Sequence, residues 1–175
     1  LLTAAAHPFL TPVGAWEALA AIPIADYAVP APWRPAHGQT LPVVPDPILT
    51  PGAIASTDQA LVCATGDESY SRQHRRTSEV VKRAVEREYD AVSCGEIDHR
   101  LPLSLGGADT LANLWCQSGP PVIWTYQMKD KLEDLVWRQT CHEHQLTLAQ
   151  AQAIFLEPDW RIPYCAMIGG PPCPP

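Results

Sequence analysis

The chain has 175 residues, 46% of them hydrophobic and 18% charged, with a formal net charge of -7. That length supports one domain with a sizeable core and excludes two large ones. The acidic balance excludes broad, charge-driven affinity for nucleic acid, and no apolar run approaches the roughly 18 residues of a membrane span, so no membrane partner is expected.

Residues 1 to 51 hold ten prolines, among them Pro30, Pro32, Pro35, Pro42, Pro45, Pro47 and Pro51. This spacing excludes long helices and favours extended paths. One short helix is expected from Gly14 to Ala21, with Trp16, Leu19 and Ala20 as its apolar face. Phe9, Trp16, Ile22, Ile24, Tyr27 and Trp33 are too many large apolar groups for a solvated linker. The segment therefore reads as an arm that wraps the core, with self-association or a protein partner as the rival use of it.

From Cys63 the composition changes. A loop with Gly66, Asp67 and Glu68 leads to Ser71-Arg72-Gln73-His74-Arg75-Arg76, and Thr77 is placed to cap a helix running to about Tyr89. Val80, Val81, Ala84, Val85 and Tyr89 form its apolar stripe. Six of the twelve Lys and Arg residues lie between Arg72 and Arg87. Lys82, Arg83 and Arg87 read as a solvated helix face, while the stretch around Arg76 is a local patch able to bind phosphate.

The central stretch runs from Cys94 to Cys116. Asp98 and His99 are adjacent and end a short segment, so their side chains are expected at the lip of the core. Leu101, Leu103 and Leu105 alternate with Arg100, Pro102 and Ser104, the pattern of a half-buried strand that Pro102 confines to an edge or short arm. Gly106-Gly107 supplies a turn, and Asn113 follows in a polar patch anchored by Leu111, Leu114 and Trp115.

Tyr126 to Gln139 reads as a helix with Met128, Leu132, Leu135 and Val136 inward and Lys129 and Glu133 as an exposed i,i+4 pair. Beyond it, Cys141, His142 and His144 raise a structural zinc site, which the lack of any CxxC disfavours. Thr147-x-x-Gln150 is a capping box for a last helix packed through Leu148, Ala151 and Ile154, which Pro158 ends. Trp160 is expected to pack back on the core ahead of an irregular tail. Six cysteines are many for a cytosolic protein, and their even number permits fifteen pairings in an oxidising compartment.

The string Glu96-x-Asp98-His99-x-x-Pro102-Leu103-x-Leu105-Gly106-Gly107, then Asn113-Leu-Trp115 and Lys129-Asp130-x-Leu132-Glu133, resembles small, often exported bacterial proteins carrying an HNH (ββα-metal) nuclease module. The likeness runs from about Cys63 to Trp160. It implies an α+β fold with a ββα-metal core and additional helices, to which composition adds an irregular proline-rich N-terminal arm outside the likeness. The organisation is then 1–60 as the arm, 61–162 as the HNH-like nuclease domain and 163–175 as the C-terminal tail.

The resemblance also implies an activity: divalent-metal-dependent hydrolysis of phosphodiester bonds in nucleic acid, DNA ahead of RNA, by an endonuclease holding one Mg2+ ion. In that scheme His99 is the general base, Asp98 the first metal ligand, and Asn113 ties the loop and helps hold the histidine ring. Arg76 contacts the scissile phosphate, with Arg72 and Arg75 binding substrate phosphate nearby. The family's final histidine, expected about nine residues after Asn113, is replaced by the Gly119-Pro120-Pro121-Val122 region. A substitute ligand must come from the next helix, Asp130 ahead of Gln127. The resemblance also favours pairing Cys63 with Cys141, while Cys94 and Cys116 bracket the central loop and Cys165 can reach Cys173 across the short tail, so these three disulfides and a secreted or periplasmic location are expected. The alternative is a catalytically inactive, disulfide-stabilised secreted binding module on the same fold.

Overall fold

A proline-rich strap running along a two-stranded sheet sets the architecture. The computed structural model describes residues 41–120, 122–171 and 173–174, which belong to a compact unit spanning Ala31–Pro175. The expected helix Gly14 to Ala21 lies outside the described residues. Strand β1 is Glu96–His99 and strand β2 is Leu114–Gln117, paired antiparallel with Asp98 opposite Trp115 and His99 opposite Leu114. Around this hairpin stand α1 (Gln59–Val62), α2 (Tyr70–His74), α3 (Glu79–Glu88), α4 (Tyr126–Cys141), α5 (Leu148–Leu156) and α6 (Arg161–Met167).

Residues 41–50 run beside β2. Ser118 N–H donates to the Pro42 carbonyl at 3.1 Å, and Thr50 Oγ1 donates to the Leu114 carbonyl at 2.9 Å. Proline suits such an edge because it needs no ladder partner for a missing donor. Asp46 turns the strap by accepting the N–H groups of Ile48 and Leu49 on Oδ1, at 2.7 and 3.1 Å. Leu41, Val43, Val44 and Leu49 pack against the core. The buried Arg100 guanidinium then locks the strap to α5, donating to the carbonyls of Thr50, Leu156 and Glu157. The last two lie at the negative end of the helix, where a cation is favoured.

The helix boundaries follow local chemistry. Ser78 rather than Thr77 caps α3, through Val81 N–H, because the Thr77 hydroxyl is used elsewhere. Val80, expected in the apolar stripe, is 75% exposed. The Thr147–Gln150 capping box is present in full, and α4 buries Leu132 and Val136 completely. α6 was not legible, since it contains Pro163; the proline stands in the first turn, where its missing N–H would have had no helical partner. Trp160 is buried, donates Nε1–H to the Val43 carbonyl at 2.7 Å, and meets Trp124 and Tyr164 edge-on. Each such aromatic pair adds about 0.5–1.5 kcal/mol beyond its burial.

The segment expected as a short edge strand is not one. Leu101 and Pro102 turn, Leu103–Leu105 is a single 3-10 turn, and all three leucines are buried. Gly106 ends it at φ +81°, and a Cβ on Gly107 would lie 2.0 Å from the Leu101 carbonyl oxygen, so both glycines are required. Alternating leucines here record a tightly folded loop pressed inward.

Three disulfides staple the domain: Cys63–Cys141, Cys94–Cys116 and Cys165–Cys173. They fit an oxidising, non-cytoplasmic environment. Among the described residues no helix is long and apolar enough to cross a membrane. The α+β class stands, as a short antiparallel pair with several helices. The expected ββα-metal core does not, because among the described residues no group of side chains is arranged to hold a metal ion.

Candidate functional site

β1 delivers Asp98 and His99 to one end of the hairpin, as their sequence position suggested, but both are buried rather than set at the lip of the core. What they meet there is different. Asp98 Oδ1 accepts its neighbour's backbone N–H at 2.6 Å, and Oδ2 lies 2.7 Å from Lys129 Nζ. Lys129 is buried on α4, its side chain 1% exposed, and donates to the His99 carbonyl at 2.8 Å and to Glu133 Oε1. Its ammonium also stands 5.5 Å from the centroid of the Phe155 ring. The two backbone groups of His99 are thus capped by side chains, leaving nothing at this point for another strand to pair with.

Two carboxylates share one ammonium in this cluster. Burial alone would lower the Lys129 pKa, but the charges of Asp98 and Glu133 override it and hold the lysine protonated, above its ordinary range. Burial raises the Glu133 carboxyl more than Lys129 lowers it, and Asp98 adds to the rise. Asp130, exposed on α4, is raised as well, first by partial desolvation and then by Asp98.

His99 belongs to a second constellation. Its Nε2 is 2.8 Å from Asp109 Oδ1, and the same oxygen accepts the Thr77 hydroxyl at 2.6 Å. Asp109 Oδ2 accepts Arg76 N–H. Burial would raise the Asp109 pKa, but these three donors lower it. Burial lowers the His99 pKa, with Asp109 opposing. Asp109 therefore clasps the 75–78 loop to the sheet. Its one signal in the sequence is an acidic residue two positions after the Gly-Gly turn.

Asn113 is buried and makes four side-chain bonds: Oδ1 accepts Leu101 N–H at 2.9 Å and Ala53 N–H at 3.4 Å, and Nδ2 donates to the carbonyls of Leu101 and Ala108 at 2.9 and 2.8 Å. The bond recorded at the imidazole is with Asp109, so the ring is oriented from that side. Arg72 pairs with Asp67. Arg75 and Arg76 are exposed, and Arg76 Nη1 donates to the Arg75 carbonyl at 2.9 Å. Gln127 and Asp130, the candidate helix ligands, are exposed on α4.

Among the described residues no group of three or more His, Cys, Asp and Glu side chains is arranged to hold a metal ion. This overturns the HNH reading at each level: the family resemblance, the ββα-metal core, the Mg2+ cofactor, and the metal-dependent endonuclease with its phosphodiester hydrolysis. The physical reason is visible at Asp98, whose free oxygen, the intended metal ligand, already faces the ammonium of Lys129. A divalent ion would have to enter beside a buried positive charge. The zinc reading of Cys141, His142 and His144 meets the same finding, and Cys141 is committed to its disulfide. The expected exposed Lys129–Glu133 pair is likewise corrected, since the pair is present but interior. Compared with protein-family models, curated proteins and solved structures, the chain matches none.

Proposed function

We propose that this chain is a non-catalytic, disulfide-stapled binding module that works outside the cytoplasm, as a secreted or periplasmic protein. One observation carries the reading. The carboxylate best placed for metal chemistry is neutralised from within by Lys129, so the hairpin end is a structural ion cluster rather than a reactive centre. Three disulfides then hold the surrounding loops in fixed relation, which reduces the ordering cost of binding.

The exposed guanidinium groups of Arg75 and Arg76, on a loop held rigid by Asp109, suggest nucleic acid as the partner. The guanidinium fork matches phosphate, and the formal net charge of -7 opposes broad contact elsewhere. The arm of residues 1–60 belongs to the same reading as a second contact, with a protein or with another copy of the chain.

The test is incubation of the oxidised chain with plasmid and single-stranded DNA and RNA in Mg2+, Mn2+, Ca2+ and Zn2+, with EDTA controls. The reading expects no cleavage in any metal, with salt-sensitive retention that Arg75→Ala and Arg76→Ala weaken. Metal-dependent cleavage that EDTA stops and Asp98→Ala abolishes would overturn it.

A further inference from the structure

The Asp98–Lys129–Glu133 cluster offers nothing to a metal or an outside substrate, but it brings together the reactants of one step within the chain itself. An amine and a carboxyl group meet there, with a second carboxyl group on the same nitrogen. Lys129 Nζ lies 2.7 Å from Asp98 Oδ2, and the carboxyl carbon is one bond beyond that oxygen. Oδ2 makes no hydrogen bond among the described residues, so this close approach is off the line of an ordinary lysine–carboxylate hydrogen bond.

The surroundings suit a condensation. Trp115, opposite Asp98 in the sheet, is buried, and so is Phe155, whose ring centroid is 5.5 Å from Nζ. The Glu133 side chain, 20% exposed, stands at the edge of the cluster, where water can leave. Asp98 Oδ1 accepts His99 N–H at 2.6 Å, a backbone donor placed to hold the charge that develops on this oxygen when its carbon is attacked. Nζ donates to the His99 carbonyl at 2.8 Å, the one acceptor that an amide N–H at this position needs. Burial, the largest influence on the Glu133 carboxyl, raises it, so this group gains and loses a proton nearer neutral pH than an ordinary glutamate does.

We propose that Lys129 and Asp98 condense within the folded chain to form an isopeptide bond, with Glu133 as the proton relay. The ammonium first passes one proton to Oδ2. Its freed lone pair then forms the Nζ–Cγ bond, while the carbonyl electron pair shifts onto Oδ1. Glu133 takes a second proton from the nitrogen and delivers it to Oδ2. The Cγ–Oδ2 bond breaks, water leaves with that electron pair, and the carbonyl re-forms. One ammonium and one carboxylate thus become one amide and one water; Glu133 ends as it began, and nothing is oxidised or reduced. The charges of Asp98 and Glu133 hold the lysine protonated, so the free amine is scarce and the step is slow. Holding the two groups in contact offsets this, with an effective molarity of about 10⁵–10⁸ M for well-oriented partners. The product ties the end of β1 covalently to α4. The step needs no partner molecule, so its failure and the failure of the binding reading are separate results.

The experiment takes the full chain, folded and oxidised, reduces its disulfides, weighs it by intact mass spectrometry, and maps its proteolytic peptides by tandem spectra. The parent chain should weigh one water less than its sequence and yield a branched peptide joining the Asp98 segment to the Lys129 segment. Glu133→Gln should lower the yield of that peptide roughly tenfold or more, and Lys129→Arg should abolish it and restore the full sequence mass. If neither variant folds, the branched peptide of the parent decides the matter alone. A parent of full sequence mass with no branched peptide overturns the proposal and leaves an ordinary ion pair. So does a missing water traced to a cyclic imide at Asp98 or to an amide between Lys129 and Glu133. Undiminished branching in Glu133→Gln overturns the relay.

Discussion

Lys129 Nζ lies 2.7 Å from Asp98 Oδ2 and 2.8 Å from the His99 carbonyl oxygen, so one buried ammonium grips the side chain of one residue and the backbone of the next. The β1 terminus is held by this contact from α4, and the carboxylate that sequence pattern offered to a metal is already engaged.

Removing that ammonium should be costly. Lys129→Met leaves the Asp98 carboxylate buried without a counter-charge, and breaking a buried ion pair from one side costs about 3–5 kcal/mol. Urea unfolding of the oxidised chain at neutral pH checks the size. The triple variant Lys129→Met, Asp98→Asn, Glu133→Gln should recover much of the loss, because no unpaired charge remains.

Glu133 provides a pH signature. Its folded-state pKa is raised, by burial first, so folding favours the protonated form. The associated stability is fully present below the ordinary glutamate range and is lost as pH rises through the raised folded value. Glu133→Gln should remove this loss, so the difference in unfolding free energy between variant and parent should change with pH across that window. A flat difference would contradict the assignment.

Asp109 clasps the 75–78 loop through Thr77, Arg76 and His99. Asp109→Asn should cost about 1.5–3 kcal/mol, as expected for hydrogen bonds to a charged group. Hydrogen exchange should accelerate at residues 75–78 far more than in α5. Exchange that is unchanged in this loop would remove the clasp from the account.

The disulfides should rank by loop length. By chain entropy, the Cys63–Cys141, Cys94–Cys116 and Cys165–Cys173 closures are worth roughly 4.5, 3.4 and 2.5 kcal/mol, from sequence separations of 78, 22 and 8. Paired Cys→Ala variants, compared by chemical denaturation, test that order.

Local chemistry was legible where it acts locally. Thr147 and Gln150 announce their capping box because both partners lie within one turn, and Trp160 announces a core contact by its size. The three cysteine pairs present are the ones expected, Cys63–Cys141 from the resemblance and the other two from where their cysteines lie along the chain. Lys129 misled, because an i,i+4 lysine–glutamate pair looks the same on a solvated face as in an interior, and only tertiary packing against Asp98 and Phe155 separates the two. Leu101, Leu103 and Leu105 misled for a related reason: alternation marks a strand only when the backbone is extended, and here a proline and two glycines fold it into a turn. The Asp98-His99-Asn113 spacing pointed to a metal module, but the decisive residue lay thirty positions downstream of His99, on another element.

The central claim is that Lys129 stands where a metal reading needs an open carboxylate site. Titration of Mn2+ into the oxidised chain, followed by electron paramagnetic resonance, tests it most directly. The account predicts that the signal of the free aqueous ion persists with no saturable site. Saturable binding of one equivalent, lost in Asp98→Ala, would contradict it.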